Sequence, residues 1–177
     1  MRAFSHLPAG AAIAMLILTA CERSGSVPGD TTHLSDSLEG AWRSRIRFES
    51  GALASMKDLE FMYVINQGGT LTESSNYDAA PPVPPAYGVW RSRGPRQFEA
   101  KYVFYITAAP KKLEDVTSGG GWSPAGFGVF NENIQLSRDG QTYSSTIDYS
   151  AFDTQGKPTG GSGEAQGSGK RIGFESR

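Results

Sequence analysis

The sequence predicts an all-β domain over residues 37–177, built as a single eight-stranded antiparallel up-and-down barrel. Apolar and polar residues alternate along several segments, which is the pattern of half-buried strands. Short turns marked by glycine or Asp-Gly separate these segments, and none has a helical repeat of any length. Consecutive antiparallel strands leave no exposed edge when they close into a barrel. A β-sandwich is the alternative arrangement.

The first strand begins at Trp42, and its alternation is strict. The inward set is Trp42, Ser44, Ile46 and Phe48, and the outward set is Arg43, Arg45 and Arg47. Three arginines on one face could bind an anion, but a run of charge more often forms a solvated face, and we expect solvent there. Residues 49–58 then form either a loop or one helical turn around Leu53 and Met56.

A hairpin and a proline-rich loop come next. The predicted strands in this part of the chain span residues 59–66, 70–75 and 87–93. Gln67-Gly68-Gly69 is a turn signal, so the first two of these strands are expected to pair as a hairpin. The Pro-Pro-Val-Pro-Pro segment at residues 81–85 is predicted to form a stiff, extended loop before the next strand.

The second half of the chain contains four more predicted strands. They span residues 97–107, 129–136, 142–152 and 164–175. Asp139-Gly140 is a strong hairpin signal between the predicted strands at residues 129–136 and 142–152. Residues 110–124 form a long polar connection, and loops of that length often serve as lids or binding loops. Glycines early in the last strand fit a tightly bent barrel wall.

Residues ahead of the domain have the pattern of a secretory signal. Arg2 supplies a positive charge, and an apolar run over residues 9–20 ends in small residues before Cys21. The run is too short to span a bilayer, which takes about twenty apolar residues. Leu18-Thr19-Ala20-Cys21 resembles the lipobox of bacterial lipoproteins. The resemblance implies that residues 1–20 are a signal peptide and that Cys21 is acylated.

The lipobox resemblance also implies a location. In such lipoproteins the acyl chains, palmitate among them, hold the protein in a membrane of the bacterial cell envelope. An aspartate after the cysteine favours retention in the inner membrane, so Glu22 favours the outer membrane, facing the periplasm. Residues 21–36 are polar and small, and we expect them to form a flexible tether between the anchor and the domain.

Gly40-Ala41-Trp42 resembles the Gly-x-Trp motif that opens the first strand of lipocalins and their calycin relatives. In that family the tryptophan closes the barrel floor and an arginine of the last strand lies across its ring, which implies a pair of Trp42 and Arg171 here. The domain is also similar to a group of uncharacterised bacterial proteins, which implies a fold but no activity. The shared segments are residues 38–42, 69–73, 88–90 and 152–156.

Residues for the common catalytic and metal sites are scarce. Cys21 is the only cysteine, and His33 is the only histidine after the predicted signal peptide, in the predicted tether. A Ser-His-Asp or Cys-His arrangement and the usual zinc or copper sites therefore cannot form within the barrel. We predict no metal and no cofactor. A net charge of −1 at pH 7 argues against a nucleic-acid partner.

Carboxylates remain as candidates for acid–base chemistry. Those in or beside predicted strands are Glu73, Glu99, Glu132, Asp148 and Asp153. The alternation predicts that all of them face solvent except Glu132, which shares a face with Ile134 and Leu136. Burial there would raise the pKa of Glu132 and make it a functional candidate. A surface-exposed or ion-paired Glu132 is the preferred hypothesis.

Aromatic residues on the inward faces are the main indication of function. The candidates for lining a cavity are Tyr63, Phe98, Tyr102, Phe104, Tyr143 and Tyr149. An eight-stranded barrel either fills its interior with side chains or holds one small ligand, and both possibilities stay open. With a cavity, the chain is predicted to bind a small apolar or aromatic molecule. The alternatives are an envelope structural or protein-interaction lipoprotein with a filled barrel, its partner unknown, and a cofactor-free cyclase or isomerase.

Overall fold

A computed structural model describes residues 36–77, 84–117 and 121–174. The chain divides into two units, residues 1–30 and 31–177, and every described residue belongs to the second unit. The predicted signal peptide, Cys21, His33 and nearly all of the tether lie outside the described residues, as do residues 81–83 of the proline-rich loop.

The described chain is almost entirely β-structure. Its strands are β1 (Gly40–Phe48), β2 (Leu59–Asn66), β3 (Thr70–Ser75), β4 (Ala86–Gly94), β5 (Gln97–Ala108), β6 (Ser123–Leu136), β7 (Thr142–Phe152) and β8 (Pro158–Arg171), with one short helix, α1 (Leu113–Thr117). Each strand pairs antiparallel with the next, and β8 pairs back with β1 to close the barrel. The predicted up-and-down barrel is confirmed, and the β-sandwich alternative is wrong because closure leaves a single sheet.

Alternation decides which side chains enter the barrel. Along β1, buried and exposed residues alternate from Trp42 to Phe48, and the arginines between the buried residues face outward. The outward face is solvated, as expected: Arg43 pairs with Glu60 at 2.7 Å while 61% of the Arg43 side chain stays exposed. Exposed ion pairs of this kind contribute little to stability, at most about 1 kcal/mol. Residues 49–58 form turns and not an α-helix.

Strand β6 begins earlier than the alternation predicts, at Ser123 and not at residue 129. The added segment pairs with the end of β5 across an irregularity between Ile106 and Thr107. Two glycines explain why its sequence lacks an apolar pattern. A Cβ at Gly126 would overlap the carbonyl oxygen of Phe152, and a Cβ at Gly128 would overlap the ring of Phe104. The predicted connection over residues 110–124 is therefore shorter, and it contains α1.

Strand β8 is also displaced from its prediction, since it spans Pro158–Arg171 where residues 164–175 were expected. The apolar residues Ile172 and Phe174 follow the strand and are exposed. Gly167 and Gly169 of β8 face the interior, where side chains from β7 and β1 already occupy the space; a Cβ at Gly169 would overlap the ring of Tyr143. Within the described ranges, no helix has the length and apolar character needed to cross a bilayer.

Candidate functional site

The barrel has two unlike ends. At the end where β1 begins, Trp42 is fully buried and donates a hydrogen bond from Nε1 to the Leu38 carbonyl at 2.9 Å. The guanidinium carbon of Arg171 lies 4.3 Å from the centroid of the Trp42 ring, as the lipocalin resemblance implies. Arg171 also donates to the carbonyls of Ser37, Glu39 and Gly140. This end of the barrel is therefore closely packed and held together by hydrogen bonds.

Above this floor lies a buried polar network centred on Glu132. Tyr63 and Tyr102 donate to Glu132 Oε2 at 3.2 and 3.0 Å, and their hydroxyl oxygens are 3.1 Å apart. Glu132 is 1% exposed, so the preferred hypothesis of a surface or ion-paired glutamate is wrong. Both tyrosine hydroxyls can donate at once because a carboxyl oxygen offers two lone pairs.

Electrostatics favours the neutral form of Glu132. Burial raises the pKa of its carboxyl, and the neighbouring hydroxyls of Ser145, Tyr102 and Tyr63 lower it only in part. Burial also raises the pKa values of Tyr63 and Tyr102 well above their ordinary range, and the negative potential of Glu132 adds to that shift. Glu132 Oε1 has no hydrogen-bond partner among the described residues. A protonated Oε1 would leave Oε2 free to accept both phenols.

The opposite end of the barrel contains a cavity of about 280 Å³. Its lining comes from the start of β2, the ends of β3, β5 and β7, and the loops beside them; the residues are Leu53, Leu59, Phe61, Glu73, Ser75, Tyr77, Pro84, Phe104, Tyr105, Ile106, Thr107, Phe130 and Tyr149. All of these strand ends lie away from Trp42. The interior is thus packed at one end and hollow at the other.

Aromatic rings form the floor of the cavity. Phe104 stacks on Phe130 and on Tyr149 at interplanar angles of 21° and 18°. Phe61 meets Phe130 edge-on, with ring centroids 5.6 Å apart. Because each ring is held by at least one other, the floor is a rigid apolar surface with exposed π-faces, and such pairs contribute about 0.5–1.5 kcal/mol beyond the area they bury.

Among the described residues that line the cavity, Glu73 is the only charged one. It is only 4% exposed, and its Oε1 atom is buried without a hydrogen-bond partner. Burial raises the pKa of Glu73 to about 8, and the nearby Glu132 carboxyl adds to the shift. The sequence prediction for Glu73 is wrong, because the residue points into the barrel and not into solvent. A carboxyl with this pKa exchanges its proton near neutral pH.

The six aromatic cavity candidates separate into three groups. Phe104 and Tyr149 line the cavity. Tyr63, Tyr102 and Tyr143 instead lie in the buried polar region, where Tyr143 hydrogen-bonds to Ser44. Phe98 packs edge-on against Trp90, near the start of β5. The expectation that all six would surround one ligand is therefore wrong, since hydrogen bonding to Glu132 and Ser44 draws the three tyrosines into the packed half.

Two cavity residues were missed although the sequence contained a signal for each. Glu73 is two positions from Leu71 on β3, so it shares the inward face of that strand. Phe130 shares a face with Glu132 on β6 in the same way. Applying the alternation of each strand to every residue, charged or apolar, would have placed both on the inward face. Glu99 lies on the outer face of β5, beside Arg91 and Arg93.

Comparison with known proteins gives no family for this chain. No family model matches it, and no curated protein matches it. Among the described residues, no group of three histidine, cysteine, aspartate or glutamate side chains could hold a metal ion. The arrangement of the site therefore has to be interpreted from its own geometry: an aromatic cavity with one buried acid on its wall.

Proposed function

We propose that this protein is a binding module for a small, largely apolar ligand, held in the cavity at the open end of the barrel. One observation carries the proposal: among the described residues, the aromatic cavity is lined by one buried carboxyl, that of Glu73, and its Oε1 has no partner. Binding sites for small molecules are typically apolar hollows with a few placed polar groups that orient the ligand. Glu73 is that polar group here.

The size of the cavity limits the ligand. Ligand pockets usually enclose about 300–1,000 Å³, and the cavity here, about 280 Å³, lies just below that range. A molecule with one aromatic ring and a short arm suits it better than a long lipid chain. Burial of apolar surface against the rings contributes roughly 25 cal/mol per Å², which is the main driving force we expect.

The other two candidate functions have less support. The structural or protein-interaction hypothesis supposes a barrel that is filled throughout. Only the half that contains Trp42 and Glu132 is filled in this way. A cyclase or isomerase needs converging acid and base groups. Glu73 is the only aspartate, glutamate, histidine, lysine or arginine among the described residues that line the cavity. A single acid is enough to orient a ligand, so binding is the better-supported role.

Blocking the cavity is expected to abolish binding. Ser75→Trp places an indole in the cavity, because Ser75 lines it. Ser74→Trp is the matched control, since the neighbouring Ser74 is exposed on the outside of the same strand. We expect a one-ring ligand such as 2-phenylethanol or 2-phenylethylamine, followed by NMR titration, to lose affinity about tenfold or more in Ser75→Trp alone. Equal binding by both variants would mean that the ligand sits elsewhere.

We propose further that the domain is lipid-anchored in the bacterial cell envelope through Cys21, in the outer membrane facing the periplasm. The support is the sequence pattern alone: a charged start, an apolar run and Leu18-Thr19-Ala20-Cys21. Each buried methylene of an acyl chain contributes about 0.8 kcal/mol, so two or more chains hold a protein firmly. The binding module would then meet its ligand close to a membrane surface.

Replacing the proposed anchor residue is expected to release the protein. Cys21→Ser cannot carry a thioether-linked lipid, so the full chain expressed in a bacterial host should move from the membrane fraction to the soluble fraction. Cys21 is the only cysteine, so the substitution removes no disulfide. Ser24→Ala, three residues on, is the control and should stay in the membrane fraction. Persistence of Cys21→Ser in the membrane fraction contradicts the anchor.

A further inference from the structure

The ligand class can be narrowed from the charges around the cavity, and this step rests on the proposed function. We propose that the cavity binds an organic amine in its cationic form, with a one-ring apolar body on the aromatic floor and its ammonium group against the Glu73 carboxylate. Three features of the site point to this chemistry: an unpartnered buried acid, the lack of a facing base, and the orientation of several aromatic rings around one space.

The unpartnered acid is the first feature. A buried polar atom without a hydrogen bond costs about 1–3 kcal/mol, and buried polar groups are nearly always paired. Glu73 lines the cavity, and its Oε1 is such an atom among the described residues. A ligand that donates a hydrogen bond satisfies it, and an ammonium does so with a charge-assisted bond about twice as strong as a neutral one.

The lack of a facing base is the second feature. Among the described residues, the ionisable group that raises the pKa of Glu73 from a neighbouring strand is Glu132 on β6. The phenols of Tyr63 on β2, Tyr102 on β5 and Tyr143 on β7 lie close enough for the negative potential of Glu73 to raise their own pKa values. A carboxyl and a phenol are each neutral when protonated and negative when ionised, so none of these groups offers a positive charge. No arginine, lysine or histidine among the described residues lines the cavity. An anionic ligand would find no counter-charge here, whereas a cation offsets the repulsion between the two acids.

The aromatic floor is the third feature. Cations are attracted to the face of an aromatic ring, by about 0.5–1 kcal/mol at exposed sites and about 2 or more where water is excluded. Phe104, Phe130 and Tyr149 lie close together in this floor, with Phe130 and Tyr149 ring centroids 5.1 Å apart. An amine whose ammonium group meets Glu73 would keep its remaining surface in contact with these rings.

Binding of the cation requires Glu73 to be ionised, so affinity should depend on pH. Below pH 8, Glu73 is mainly protonated and must release its proton when the ammonium binds. Affinity should therefore rise about tenfold per pH unit as pH approaches 8, provided that bound Glu73 stays ionised. An alkylammonium titrates near the pKa of lysine, about 10.4, so affinity should level off above pH 8 and fall only near that value.

Three ligands with one body separate the possibilities. They are 2-phenylethylamine, 2-phenylethanol and 3-phenylpropanoate, which differ mainly in the charge of the head group. We expect the amine to bind the wild-type domain best at pH 8, and to bind about a hundredfold more weakly at pH 6. The alcohol should show no such rise with pH, and the carboxylate should bind worst. Isothermal titration calorimetry in two buffers of different ionisation enthalpy also measures the proton released.

Glu73→Gln tests the role of the carboxyl directly. The amide keeps the shape of the side chain and cannot become negative, so the amine should lose its advantage over the alcohol while the alcohol still binds. Equal or tighter binding of the alcohol or the carboxylate to the wild type at pH 8 would overturn the amine assignment and leave the proposed function intact. Failure of all three to bind the wild-type cavity would overturn both.

Discussion

Replacing Glu73 by glutamine is expected to raise the free energy of unfolding at pH 8 by about 3–5 kcal/mol relative to the wild type. The reason is the buried carboxyl: its pKa is about 8 in the folded domain against 4.5 for a solvated glutamate. At pH 4 the wild-type side chain is protonated in both states, so the neutral amide should unfold with a similar free energy there. The gain should appear only as pH rises.

The sign follows from proton counting. Between pH 4.5 and pH 8 the folded domain holds a proton on Glu73 that the unfolded chain has released. Stability therefore falls with rising pH over this window, by about 1.4 kcal/mol per unit for one such proton. Below the window both states are protonated, and above it both are ionised. Glu132 adds a slope of the same sign because burial also raises its pKa.

Urea unfolding at pH 4, 6 and 8 measures the effect, with far-UV circular dichroism as the signal. Glu164→Gln is the matched control, since Glu164 is exposed on β8 and its loss should leave the pH slope of the wild type in place. Glu73→Gln should flatten the slope without removing the part due to Glu132. A wild-type stability that stays constant from pH 4.5 to pH 8 would mean that Glu73 is not buried as a neutral acid.

Much of the fold could be predicted from alternation together with turn residues. The bounds of β2, β3 and β7 agree with prediction because Gln67-Gly68-Gly69, Arg138-Asp139-Gly140 and similar turns mark where each strand stops. The start of β6 and most of β8 could not be predicted in this way. In these segments, glycine backbone packs against aromatic rings of other strands. Gly128 and Gly169 have no side chain, so the segments lack an apolar pattern.

The candidate site was predictable only in part. Inward direction is a local property of a strand, so alternation could have identified Glu73 beside Leu71. Whether the interior is filled or hollow is not local, because it depends on the summed side-chain volumes of eight strands at each level of the barrel. The tyrosines illustrate this point. Tyr102 on β5 is fully buried in a hydrogen-bonded network, whereas Tyr149 on β7 lies beside the cavity. Both strands pair with β6.

Replacing Trp42 by alanine is expected to cost about 4–6 kcal/mol of stability, the largest loss that we expect from a single substitution. Trp42 is 0% exposed and contacts Tyr143 edge-on, with ring centroids 5.1 Å apart. Truncation leaves a cavity that the neighbouring strands cannot fill, costing about 3–5 kcal/mol for a residue of this size. It also removes the donor to the Leu38 carbonyl and the ring beneath Arg171.

Trp90→Ala is the control, because Trp90 is only half-buried and lies on the barrel wall, where its indole donates to the Asn66 carbonyl. It should cost markedly less than Trp42→Ala in the same urea titration. In a double-mutant cycle, Arg171→Met and Trp42→Leu each remove the contact between guanidinium and aromatic ring, and the coupling energy should be about 1–2 kcal/mol. Single domains of this size are stable by about 5–15 kcal/mol, so Trp42→Ala should lose between about a third and all of that stability. A loss below that of Trp90→Ala would show that Arg171 and the strand ends close the barrel without the indole.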